Sequence, residues 1–183
     1  MTGFGAPTKP TTMSVGLRYG VFLGVFGIVS FLAFTLSGMN ITDGVGAWLN
    51  RILSFAATAF VLYLGASYFK TNGDGYMSFG QGFGMGFWTT LTSSAMTSVF
   101  LYIYIKFIDS GFIDMIKDKA IQDMQDKGMS EQQIEQGMKF ASMFMSPEAM
   151  LIFGLIGGVF FGLVIALLVS IFTQVKNPDA IPN

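Results

Sequence analysis

Met150–Phe172, MLIFGLIGGVFFGLVIALLVSIF, carries no charge. At about 1.5 Å per residue it is long enough to cross a hydrocarbon core of roughly 30 Å as an α-helix. Its entry is written just upstream: Ser146 supplies an N-cap hydroxyl, Pro147 the first helical residue and Glu148 an acid at the positive dipole end. Lys176, Pro178 and Pro182 mark the exit. Such a run reads as a membrane span.

Working outward, Tyr19–Leu36 (YGVFLGVFGIVSFLAFTL), Ile52–Phe69 (ILSFAATAFVLYLGASYF) and the stretch from Gly82 to Ile105 are also uncharged and apolar. Trp48, Arg51, Tyr68 and Lys70 flank the second run as interfacial anchors do. Asn40, Asp43, Gly44 and Gly46 before it, and Thr71–Gly75 after it, have turn chemistry. Lys106 and Asp109 close the third run. The expected fold class is an all-α integral membrane protein with four transmembrane helices, at about 19–37, 50–70, 82–107 and 147–173. The expected tails are 1–18 and 174–183. Lys9 and Arg18 ahead of the first run, with Ser37 and Gly38 behind it, also fit a signal peptide. That run exceeds an h-region of roughly 7–15 residues, so an intact first span is the preferred reading.

Residues 108–146, between spans three and four, hold most of the acids and read as an amphipathic helical hairpin outside the membrane. Ile113, Ile116, Ala120 and Met124 recur at helical spacing in its first helix, which Lys127 and Gly128 would cap. Ser130 and Gln133 have capping-box spacing at the start of the second, whose stripe is Ile134, Met138, Ala141 and Met145. Met138, Phe140, Met143, Phe144 and Met145 form a soft apolar surface suited to lipid, to another protein or to packing over the bundle end.

Composition narrows the function classes. Of 183 residues, 52% are hydrophobic and 11% charged, and the mean hydropathy is +0.58. Ten Lys and Arg against eleven Asp and Glu leave no field for nucleic acid. Without Cys or His there are no disulfides, no thiolates and no usual zinc ligands. No cofactor, metal or catalytic residue is expected. Asp114 with Asp118, or Glu131 with Glu135, stand one helical turn apart and read as a solvated face.

Small residues dominate the contact chemistry. FGQGFGMG at 79–86 leads into an apolar run, so it lacks the strand-to-helix context of a phosphate-binding loop. Gly82 and Gly86 continue at four-residue steps through Thr90, Ser94 and Ser98. Gly154, Gly158 and Gly162 form a second row and Gly20 with Gly24 a third. These rows pack spans within one chain, the preferred reading, or join two copies. Thr89–Ser98 (TTLTSSAMTS) is unusually rich in hydroxyls for mid-membrane. They bond to their own helix or, through Thr90, Ser94, Thr97 and Ser98, line a polar path. The four runs contain no charge of the kind coupled transport uses.

The glycine-rich first span, FGQGFGMGF at 79–87, IYIKFIDSGFID at 103–114 and MSEQQIEQGMKFASMFMSPEAM at 129–150 together resemble the DUF4199 family of bacterial membrane proteins, found mostly in Bacteroidota. The resemblance implies a plasma-membrane protein with cytoplasmic termini and an extracytoplasmic hairpin at 108–146. It brings no catalytic residues, and hints at an accessory role beside a membrane glycosyltransferase. Lys and Arg counts alone lean the other way, with Arg51, Lys106, Lys117, Lys119, Lys127 and Lys139 on the hairpin side. Arg18, Lys70 and Lys176, however, abut span ends on the terminal side. The expected function is a non-enzymatic accessory subunit, contacting lipid and either a membrane-protein partner or further copies of itself. A small channel along the third span is the alternative.

Overall fold

The computed structural model describes residues 9–39 and 44–178. The expected tail segments 1–8 and 179–183, and the loop residues Asn40 to Asp43, lie outside them. The described chain forms α1 (Thr12–Leu36), α2 (Gly44–Asn72), α3 (Phe79–Ile103), α4 (Gly111–Asp126), α5 (Glu131–Ala141) and α6 (Pro147–Thr173). Four helices are long and apolar enough to span a membrane: α1, α2, α3 with its π-helical extension, and α6. The protein is an all-α membrane protein, with α4 and α5 as the hairpin before the last span.

Helix starts follow local side-chain chemistry. Thr11 Oγ1 accepts from the Ser14 amide at 3.1 Å while Ser14 Oγ accepts from the Thr11 amide at 3.1 Å. This box starts α1 at Thr12, so residues 12–18, expected as tail, are helical. Val15, only 2% exposed, packs with Ala66, Phe69, Met77 and Met85. The same device at Ser78 and Gln81 starts α3 at Phe79, ahead of the expected Gly82. Helix α2 also begins early, at Gly44, where Gly46 and Ala47 are buried in the first turns instead of forming a turn. Ser146 accepts from the Ala149 amide at 3.1 Å, with Pro147 at the first position of α6.

Helix α3 is the axis of the bundle, with α1 parallel on one side and α6 antiparallel on the other. Its last turn, Tyr104–Ile108, is π-helical, and the Asp109 amide donates to the Tyr104 carbonyl at 2.9 Å. That turn brings Tyr104 under α4. The Phe31 ring meets Phe100, Tyr104 and Phe112 edge-on at centroid distances of 5.9, 5.0 and 5.7 Å. Ile113 and Ile116 join the cluster, which fixes α4 over one end of the bundle. Helix α5 buries no residue completely and leans on α4 through Gly137 and Met124. At the other end Met77 and Val175 exchange backbone hydrogen bonds of 3.0 and 2.9 Å, and Lys70 Nζ donates to the Thr173 carbonyl at 2.9 Å.

Candidate functional site

The site grows from the way small residues are shared out around α3. On its α6 side, Gly154 faces Ser98, Gly158 faces Ser94 and Gly162 faces Thr90; Gly86 faces Ala166 and Gly82 faces Ser170. Each step of four along one helix is answered by a step of four along the other. A Cβ on Gly158 would stand 2.5 Å from Ser94 Oγ, and one on Gly162 would overlap Thr90 Cγ2. On the α1 side, Gly20 faces Thr89 and Thr92, and Gly24 faces Met96. All seven glycines of the three rows therefore lie in contacts within the chain. Gly80, Gly84 and Gly157, which the sequence pattern did not single out as a group, have no atom near the place of a Cβ.

The hydroxyls of α3 mostly return to their own backbone. Thr89 Oγ1 donates to the Met85 carbonyl at 3.0 Å, Thr90 Oγ1 to Phe87 at 3.2 Å, Ser93 Oγ to Thr90 at 3.1 Å and Thr97 Oγ1 to Ser93 at 3.0 Å. Back-bonding of this kind lets a hydroxyl row sit in lipid-facing protein without water.

Part of the row nevertheless faces open space. Helix α2 packs through Leu62, Gly65, Ala66 and Phe69 in its second half, whereas residues 51–56 are all exposed. Its first half thus stands off α3, leaving a cleft of about 600 Å³ walled by all four spanning helices. Thr90, Ser94 and Thr97 line it together with Ser93, while Ser98 is sealed in the contact with Gly154. Ser30 of α1 and Asn50, Arg51, Ser54 and Thr58 of α2 complete the polar lining, and Phe26, Phe55 and Phe161 the apolar one. Gly158 and Gly162 expose backbone to it, so two of the packing glycines also shape the cleft. Leu62, 1% exposed, lies below its floor with Cδ2 toward Gly86, and Met85 and Ala66 are buried beyond. The cleft is one-ended.

The carboxylates considered for chemistry lie elsewhere. Asp114 faces Lys117 across 3.4 Å on the hairpin surface, and Asp118, Glu131 and Glu135 are exposed there. No group of three His, Cys, Asp or Glu among the described residues could hold a metal.

Glycine-packed spans around a one-ended, hydroxyl-walled cleft define a polytopic helical membrane protein whose distinctive chemistry is inside the bundle. The chain belongs to the family described as protein of unknown function (DUF4199), which matches residues 18–174. Comparison with curated proteins and with solved structures finds no match.

Proposed function

We propose that this chain is a non-enzymatic accessory subunit of a membrane assembly, sitting in a bacterial plasma membrane with termini in the cytoplasm and the hairpin outside. The observation that carries the reading is an apolar strip that passes from the hairpin onto a span. The Phe140 and Phe144 rings meet at 5.3 Å and Phe144 meets Phe153 of α6 at 5.0 Å. Phe140 and Met143 are 65% and 66% exposed on an otherwise charged hairpin, and Ile152 and Ile156 continue the strip along α6. A surface that straddles water and lipid fits a second membrane protein with both kinds of surface. A membrane glycosyltransferase is the partner that the family resemblance suggests.

Photo-crosslinkers at Phe140 and Met143, followed by gentle extraction from native membranes, test this. One partner should be captured at both positions at constant stoichiometry, and Phe140→Ser with Met143→Ser should release it. Adducts with lipid alone, or with copies of the same chain alone, overturn the reading. The hydroxyl wall favours a second reading, a solute path, which requires Leu62 to move aside. Liposomes in which neither the protein nor Leu62→Ala conducts would dispose of it.

A further inference from the structure

We propose that the cleft is a binding site for one anionic phospholipid, with its phosphate held at Arg51. Charge selects the head. Arg51 is the one ionic side chain among the cleft's lining residues, and no acid lines it. Its guanidinium lies 5.6 Å from the Trp48 ring and pairs with no acidic side chain among the described residues. A planar cation beside an exposed indole is an arrangement suited to phosphate at a membrane surface. Asn50 adds an amide at the same level.

The middle of the cleft matches the next part of such a lipid. Ser30, Ser54 and Ser94 line it, and their hydroxyls donate to no protein acceptor among the described residues. They are free to donate to ester carbonyls, a contact that bare hydrocarbon does not supply. From Arg51 to Thr58 the cleft runs roughly 10 Å along α2, at the helical rise per residue. That depth suits a glycerol backbone and the first methylenes, and Leu62 stops anything longer. Acyl chains must therefore leave sideways into the bilayer, past Phe55 and Phe161, which are 56% and 69% exposed. A water-soluble anion would use the head site alone and leave this apolar exit unfilled.

The test is lipid retention by the full chain in phosphatidylcholine nanodiscs doped with phosphatidylglycerol, read by native mass spectrometry. The protein should retain one phosphatidylglycerol with about a tenfold preference over phosphatidylcholine, whose phosphate can also reach Arg51 but brings a choline cation that the guanidinium repels. Arg51→Gln should bring that preference to parity, and Ser54→Phe should abolish retention of either lipid by filling the cleft. Both positions lie in the stretch 51–56 of α2, where every residue is exposed, so the bundle keeps its fold. Equal retention of the two lipids by the unaltered protein, or an unchanged preference in Arg51→Gln, overturns the proposal. Displacement by millimolar glycerol phosphate would show that the anion alone is recognised, which overturns the lipid assignment. The proposal does not depend on the partner argued above.

Discussion

At the scale of single residues, glycines with the same spacing have opposite meanings. Gly162 is the meeting point of α3 and α6, where an added methyl would run into Thr90, while Gly84 on the outer side of α3 meets nothing. Gly162→Ala should therefore destabilise the bundle by about 1–3 kcal/mol, the usual size of overpacking. Gly84→Ala should stabilise it by up to about 1 kcal/mol, because alanine is the better helix former and no neighbour objects. Unfolding in rising mole fractions of dodecyl sulfate, followed by circular dichroism, gives both signs in one experiment. Gain in Gly162→Ala would mean that α3 and α6 do not approach as closely as the structure has them. The four-residue spacing of Gly154, Gly158 and Gly162 was legible in the sequence, because it is a property of one helix. Its pairing with Ser98, Ser94 and Thr90 was not, because any small row can face any other until the helices are assembled.

At the scale of elements, α2 is two helices in behaviour. Its second half turns Leu62, Ala66 and Phe69 inward, and these fill the space against α1, α3 and α6. Its first half turns Ser54, Ala57 and Thr58 toward the cleft, sends Ile52 and Leu53 out at 62% and 40% exposure, and leaves Phe55 at the rim, 56% exposed. Inward side chains that small cannot reach across, so the gap persists while lipid satisfies the outer ones. The chain contains no cysteine, so single thiols report without background. Ser54→Cys and Thr58→Cys should react readily with a small maleimide in detergent, and Ala66→Cys should react only after denaturation. Equal protection at all three would close the cleft. This division of α2 was hidden in an evenly apolar run. The starts of α5 and α6 were visible at Ser130 and Ser146 because capping chemistry is local. The start of α1 was missed because Ser14, not Glu or Gln, completes its box with Thr11.

At the scale of the whole molecule, the two ends of the bundle are tied differently. The end that carries the start of α1 is closed by the Val15, Phe69 and Met77 core, the Lys70 contact with the Thr173 carbonyl and the pairing of Met77 with Val175. The hairpin end is held on one side by Phe31, Tyr104 and Phe112 and by Lys106 with Glu148 at 3.1 Å, and Arg51 marks the mouth of the cleft there. Sidedness therefore decides two things together: which leaflet the cleft samples and which compartment meets Phe140. Arg18 lies over the Tyr68 ring at 5.0 Å and, with Lys70, places fixed positive charge at the closed end, which supports the cytoplasmic placement proposed for that end. Glu131→Cys should then be labelled by a membrane-impermeant maleimide in intact cells, and Lys176→Cys only after permeabilisation. The reverse pattern would turn the cleft toward the inner leaflet and the apolar strip of α5 and α6 toward cytoplasmic partners. The lipid and partner experiments would keep their form but would have to be run against a different leaflet and a different set of proteins.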